Sequence, residues 1–286
     1  MTDYCTLAQA KSEIKANSTV DDAQVRRYIR QVSKRIDSTI GRPKRPFFAP
    51  YTEQRLKRAN TMRIDSSSNI FYLRDNLLSF SEVLIDTADE TANVQLWEPG
   101  QSPYGALRLT NDCKTWYGDC THTNSDTLKP VLIYITGVWG WHEDYANAYA
   151  DRDILQADIN ASVTTLTVAD ADGADEDGFT PRFSPGNLIR IDSELMDVVD
   201  VNTDTNVLTV KRGVNGTTAA AHLTGADVAV YLVDDRVVRI TQRQVGLLYA
   251  RQGAFQIETL DGVGAISYPT DLLEELEAVL TDFQYA

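Results

Sequence analysis

Histidine is scarce in this chain: three in 286 residues, at His122, His142 and His222, each in an unrelated context. No Gly-x-Ser-x-Gly, His-Glu-x-x-His or Gly-x4-Gly-Lys-Ser/Thr run occurs, so serine-hydrolase, zinc-peptidase and P-loop chemistry lose their usual anchors. Cysteine is equally sparse, with Cys5, Cys113 and Cys120 giving an odd count and no framework spacing. That excludes a disulfide scaffold and predicts free thiols in a reducing compartment. Cys113 and Cys120, with His122 beyond, are set too widely for the tight pair of a structural zinc site and lack a fourth ligand. They read as ordinary half-buried loop cysteines. No long apolar run exists either. The longest, Val131 to Trp141, is interrupted by Thr136, Gly137 and Gly140 and falls far short of the roughly 20 residues of a membrane helix. The first residues, Met-Thr-Asp-Tyr-Cys, show no basic region and no apolar one, so the expectation is a soluble protein made in a cytoplasm.

What is present is a globular composition, 43% hydrophobic and 24% charged, with a formal net charge of −14. A packed core is expected, and a DNA-coating protein is not. The distribution of charge says more than its sum. Arg26 to Arg63 holds twelve bases and two acids, Asp37 and Glu53, whereas Asp158 to Val233 holds twelve acids and four bases. A basic front and an acidic back favour attraction between copies or toward shaped neighbours.

Along the chain, Thr6-Leu-Ala-Gln9 fits a capping box opening a short helix with Leu7, Ala10 and Ile14 inward. Asp21 and Asp22 open a stronger helix near 22–40, with Val25, Ile29, Val32 and Ile36 on one face and Arg26, Arg27, Arg30 and Lys34 opposite. Gly41 and Pro43 stop it. Residues 42–69 read as irregular and basic. Ile70–Leu73, Val83–Ile85, Val94–Trp97, Leu107–Leu109 and Val131–Thr136 are short strand candidates. From Ala161 to Tyr231 the texture turns Thr-, Val- and Asp-rich, with five short strands of a small closed or sandwiched β-module. A helix from Asp234 or Asp235 to about Arg251 follows, then a hairpin over 256–268 and a final amphipathic helix beginning at Pro269. The expected fold is α+β: a helical connector domain with short strands (1–153 and 234–286), interrupted by an inserted small all-β domain (154–233).

Leu7-Ala-Gln-Ala-Lys11, the Asp-Asp opening, Ile40-Gly-Arg-Pro43, Ile70-Phe-Tyr-Leu73, Asn76-Leu-Leu-Ser79, Ile135-Thr-Gly-Val-Trp-Gly-Trp141 and Tyr268-Pro-Thr-Asp271 come in this order. The series resembles the head–tail connector (adaptor) family of tailed double-stranded-DNA bacteriophages. Gly186-Asn-Leu-Ile-Arg-Ile-Asp-Ser-Glu194 and Val207-Leu-Thr-Val-Lys-Arg-Gly-Val-Asn-Gly-Thr-Thr-Ala-Ala-Ala-His222 are similar to a β-module recurrent in phage virion proteins. Short family members pass from the Trp-Gly-Trp region almost directly into the late helix, and this chain departs from them by the whole module. The resemblance implies a structural virion protein without enzymatic activity or cofactor. It would form a ring, commonly of twelve copies, in the virion neck, docked under the portal and joined to the stopper or tail. DNA would pass through its channel non-specifically at ejection, and no membrane is involved. Terminal segments of the family reach into the portal or neighbouring subunits, which makes Leu272, Leu276, Leu280 and Phe283 interface candidates. The alternative is a virion binding module whose β-insert recognises another virion protein or a host glycan.

The remaining chemistry has bland readings beside the sharp ones. His142-Glu143-Asp144 reads as a polar turn before it reads as a metal or acid–base cluster. The acidic run Asp170 to Asp177 misses the calcium-loop pattern at the bidentate Glu or at the Gly of position six, and reads as a solvated loop. Arg26, Arg27, Arg30, Lys34, Arg42, Lys44 and Arg45, with Arg55, Lys57 and Arg58 beyond, could track phosphates. A protein contact is favoured, because a channel that lets DNA slide is poorly served by strong phosphate grips. Trp139, Trp141 and Tyr145 read as core or interface aromatics ahead of a sugar platform.

Overall fold

A computed structural model describes residues 2–16, 18–40, 44–98, 102–110, 114–116, 118–119, 131–176 and 178–251. They divide into two compact units, one from the described residues of Met1–Pro46 and Ala148–Ala286, the other from those of Phe47–Asn147.

The Phe47–Asn147 unit is built on an antiparallel sheet of seven strands: β1 (Tyr51–Arg58), β2 (Ile64–Asp65), β3 (Ile70–Ile85), β4 (Ala88–Asp89), β5 (Val94–Leu96), β6 (Tyr104–Leu109) and, after the small pair β7 (Lys114–Thr115) and β8 (Gly118–Asp119), β9 (Leu132–Trp139). The order runs β1-β9-β3-β6-β5, with β2 and β4 pairing on β3. β9 alternates strictly, burying Ile133, Ile135, Gly137 and Trp139 while their neighbours stay half-buried, the period of two that one covered sheet face demands. Ile133, Ile135 and Trp139 join Phe71, Leu73, Leu77, Val83, Leu107 and Trp116 in one core. Gly137 has a steric cause: a Cβ there would sit 2.4 Å from the Ser79 carbonyl oxygen on β3.

The other unit combines three helices with a second antiparallel sheet. α1 (Leu7–Ile14) opens with the capping box of Thr6 and Gln9, both halves formed. α2 (Asp22–Thr39) buries Val25, Ile29, Val32 and Ile36, and α3 (Asp235–Ala250) buries Val237, Ile240 and Val245 behind an Asp234 cap. The sheet comprises β10 (Tyr149–Ile154), β11 (Thr165–Thr167), β12 (Leu188–Ile191), β13 (Glu194–Asn202), β14 (Val207–Lys211) and β15 (Asp227–Tyr231). Its order is β10-β15-β12-β13-β14-β11. A bridge between Leu155 and Val168 joins the ends of the two outermost strands, drawing the sheet toward closure. Leu155, Phe183, Ile189, Met196, Leu208 and Val228 fill its interior.

The residues before α1 tie helix to sheet. The Tyr4 amide donates to Ser33 Oγ at 3.0 Å, and its hydroxyl donates to the buried Asp37 carboxylate. The Leu7 amide donates to the Pro185 carbonyl at 2.9 Å. Tyr4 is fully enclosed.

The expected helical connector domain with a small inserted β domain is overturned. The protein is mostly β, with two large antiparallel sheets of seven and six strands and three helices among the described residues. Two physical causes account for the error. Residues 42–69 lack apolar alternation, yet β1 forms there because the guanidinium of Arg55 and the ammonium of Lys57 lie over the Trp139 ring in place of apolar side chains. Ile70–Leu73 and Val83–Ile85, taken as separate strands, are the two ends of β3. Its middle turns through Arg74, at φ +56°, with irregular register between Tyr72 and Leu77 and again near Phe80. The hairpin expected over 256–268 and the final helix lie outside the described residues. No helix among the described residues is long and apolar enough to cross a membrane.

Candidate functional site

α2 turns one face to the core and the other to a cavity. With apolar residues spaced three and four apart inward, Arg26, Arg27, Arg30 and Lys34 must point elsewhere. A cavity of about 380 Å³ lies between α2, the segment before α1 and the strands β13 and β14; its lining includes Asp3, Arg26, Arg30, Lys34, Asp197 and Lys211. Arg26 is engaged, donating from Nη1 to the Val199 carbonyl at 2.9 Å and lying 3.4 Å from Asp200. Arg30, Lys34 and Lys211 are exposed, and Arg30 and Lys211 act on the cavity's carboxylates through their charge.

Two carboxylates share the cavity with these cations. Burial pushes the Asp3 carboxyl up to about 6, with Arg30 opposing the rise and Asp197 adding to it. Asp197 is raised too, again chiefly by burial, against Lys211 and Arg30. One Asp3 oxygen, Oδ1, is buried without a hydrogen-bond partner, and so is Nε of Arg26. Unsatisfied buried polar atoms of this kind mark places where a water, ion or ligand group completes the bonding.

The other candidate residues are dispersed. Lys44 and Arg45 are exposed, and Arg42 lies outside the described residues, as do Leu272, Leu276, Leu280 and Phe283. Arg55 and Lys57 belong to the β1 sheet and are neutralised there: Arg55 pairs with Glu53 at 2.6 Å and Asp75 at 3.3 Å, and Lys57 pairs with Asp75. Trp139 and Trp141 are 1% and 6% exposed, so neither indole is open for stacking on a sugar. Trp139 Nε1 donates to the Glu53 carbonyl at 3.1 Å, Trp141 packs edge-on against Phe48 at 5.8 Å, and Tyr145 is half-buried.

The possible metal clusters resolve into turns and ties. The acidic run binds its own backbone and two arginines, with Asp170 Oδ1 accepting from the Gly173 amide at 2.8 Å. Arg152 lies 3.4 Å from Asp175, and Arg182 lies 3.5 Å from Asp170. His142 Nδ1 accepts from the Asp144 amide at 3.0 Å, closing a turn. Cys113, Cys120 and His122 lie outside the described residues. Among the described residues no three His, Cys, Asp or Glu side chains gather as a metal site would require.

One cluster has no counterpart in the sequence reading. Glu194, with a fully enclosed side chain, accepts from Arg212 Nε and Nη2 at 2.7 Å each. It also accepts from the amides of Gly213 and Ala220 at 2.9 Å. His222 spans it and Asp192, at 2.9 and 2.6 Å. Burial alone would raise the Glu194 carboxyl, but the Arg212 bonds, with those from Ala220, His222 and Gly213, hold it at about 2. Arg212, Gly213, Ala220, His222 and Asp192 all belong to the loops that follow β12 and β14. The arrangement pins those loops to β13. Both contributing stretches are visible in the sequence, but nothing in it shows that a hairpin and a loop almost thirty residues on converge on one carboxylate.

No family model matches the chain, and no curated protein matches it.

Proposed function

We propose that the chain is a head–tail connector of a tailed double-stranded-DNA bacteriophage, working as a ring rather than as a catalyst. The observation that carries this reading is the order of motifs from Leu7-Ala-Gln-Ala-Lys11 to Tyr268-Pro-Thr-Asp271, joined to the virion-type stretch Gly186–His222. Two further features support it. The enclosed cluster around Glu194 acts as a fold clamp, holding two loops to β13. The charge is split between a basic front and an acidic back, as suits repeated contact between copies. A ring closes when one heterologous contact repeats about an axis. In this reading twelve copies sit in the virion neck, under the portal and above the stopper or tail. DNA passes through the hole without sequence preference, and the protein is made in the bacterial cytoplasm.

The test is to mix the purified chain with the portal protein of its own phage and image the product by cryo-electron microscopy. A ring of this chain stacked on the portal is the expected outcome. Chains that stay monomeric and show no portal affinity, or that turn over a substrate, would remove the proposal.

A further inference from the structure

The chain reaches α1 through a short lead that is gripped on two sides. Thr2, Tyr4 and Cys5 are 1%, 0% and 3% exposed, yet they belong to no strand or helix. On the side of the second sheet, Asn215 Nδ2 donates to Thr2 Oγ1 at 2.9 Å. The turn at Gly186 passes so near that a Cβ there would lie 3.2 Å from the Cys5 carbonyl oxygen. On the side of α2, the Tyr4 amide and hydroxyl reach Ser33 and Asp37. Asp3 sits in the middle of this grip, its Oδ1 buried and without a hydrogen-bond partner among the described residues.

Asp3 is also part of the wall of the 380 Å³ cavity, and charged groups face it there from three elements. α2 supplies Arg26, Arg30 and Lys34, β14 supplies Lys211, and β13 supplies Asp197. Arg26 is shared with the Val199 carbonyl and Asp200. Arg30, the chain's terminal ammonium and Arg26 pull the Asp3 carboxyl down and Asp197 pushes it up, but burial outweighs them all and leaves it at about 6. Burial likewise raises Asp197, against the terminal ammonium, Lys211 and Arg30. Once ionised, the two carboxylates share one enclosure in which desolvation exceeds the compensating attraction. One of them must yield. Asp197 is fixed, because β13 lies inside the six-stranded sheet and pairs it with Leu188 on β12 and Lys211 on β14. The lead has no such ladder, only the few ties named above.

We propose that residues 2–5 are a proton-operated strap, closed along the cavity wall while Asp3 and Asp197 hold protons and lifted when both ionise. α1 is its pivot, anchored by the capping box and by the Leu7 amide on the Pro185 carbonyl. In the lifted strap Asp3 regains water and its ordinary 3.8, so the closed form binds the proton more tightly. Closure is therefore complete below that value and is lost as pH rises through about 6. Lifting withdraws Asp3 from the wall and leaves Arg30, Lys34 and Lys211 facing Asp197 alone. The strap needs no second copy, so it stands or falls separately from the ring proposed above.

Hydrogen exchange in the full-length chain, resolved at single amides between about pH 4.5 and 7.5, tests it. Each rate is divided by that of an unstructured chain at the same pH, which removes the intrinsic pH dependence of exchange. Protection of the Tyr4 amide is expected to fall at least about tenfold across this range, while Ile29 in α2 and Val210 in β14 keep theirs. In Asp3→Asn, which cannot ionise, Tyr4 protection stays level. In Asp197→Asn the fall moves to lower pH, because the charge that pushed Asp3 up is gone. Wild-type Tyr4 protection that ignores pH, an unaltered fall in Asp3→Asn, a shift to higher pH in Asp197→Asn, or an equal loss at Ile29 and Val210 overturns the strap.

Discussion

Glu194 is enclosed and charged at once, and its neighbours show how that is sustained. Its desolvation is offset by a two-pronged bond from Arg212, two backbone amides and the His222 ring. Glu194→Gln leaves the Arg212 guanidinium buried without its counter-charge, a loss of about 3 kcal/mol that chemical denaturation at neutral pH measures. Because the folded carboxyl lies near 2, below its ordinary 4.5, the advantage is complete above pH 4.5 and fades as pH falls toward 2. The gap between wild type and variant closes over that window. Asp3 has the opposite sign. Its carboxyl is raised by burial from 3.8 to about 6, so the folded state holds the proton more tightly and stability drops as pH rises through that interval. Asp3→Asn therefore stabilises the protein above pH 6, by about 2 kcal/mol after allowance for partial solvation, and changes little below pH 4. Melting temperatures measured across pH are expected to follow both trends. Neither residue stood out in the sequence. An acid is conspicuous only once folding encloses it, and the partners of Glu194 lie 18 to 28 positions away.

At the scale of elements, helices were legible and several strands were not. Thr6, Gln9, Asp234 and the three-and-four spacing in α2 act within a few residues, so the sequence carries them openly. β1 shows the contrary case. Its inward positions are Glu53, Arg55 and Lys57, which alternate in length and charge rather than in hydrophobicity, and the Trp139 ring they cover is more than eighty residues away. β10 is similar, written as Tyr-Ala-Asp-Arg-Asp-Ile and paired with β15. β9 carries the sharpest element-level prediction. Gly137 faces Ser79 so closely that any Cβ collides with backbone, which cannot swing aside as a side chain would. Gly137→Ala is expected to cost about 1–3 kcal/mol, to lower the melting temperature and to speed hydrogen exchange in β9 and β3.

At the scale of the whole molecule, composition called for packed cores, and each sheet encloses one. It did not weigh strand against helix. That balance was set by pairings such as β1 with β9 and β10 with β15, which are long-range and leave no periodic trace when polar residues occupy the strands. The candidate site was half visible in the same way. The α2 cations could be read from helical spacing, but Asp3, Asp197 and Lys211 reach the cavity from distant segments. The leading segment is held to α2 through Tyr4 and, at the start of α1, to the loop before β12 through Leu7, and Cys5 between them is buried, its thiol pushed up by that burial. A thiol so held reacts only when the segment peels away. Mass-resolved alkylation at Cys5 should therefore run far slower than in urea-unfolded chain. The cysteine then serves as a built-in clock for how often the leading segment lets go, readable in the free protein and again in whatever assembly it enters.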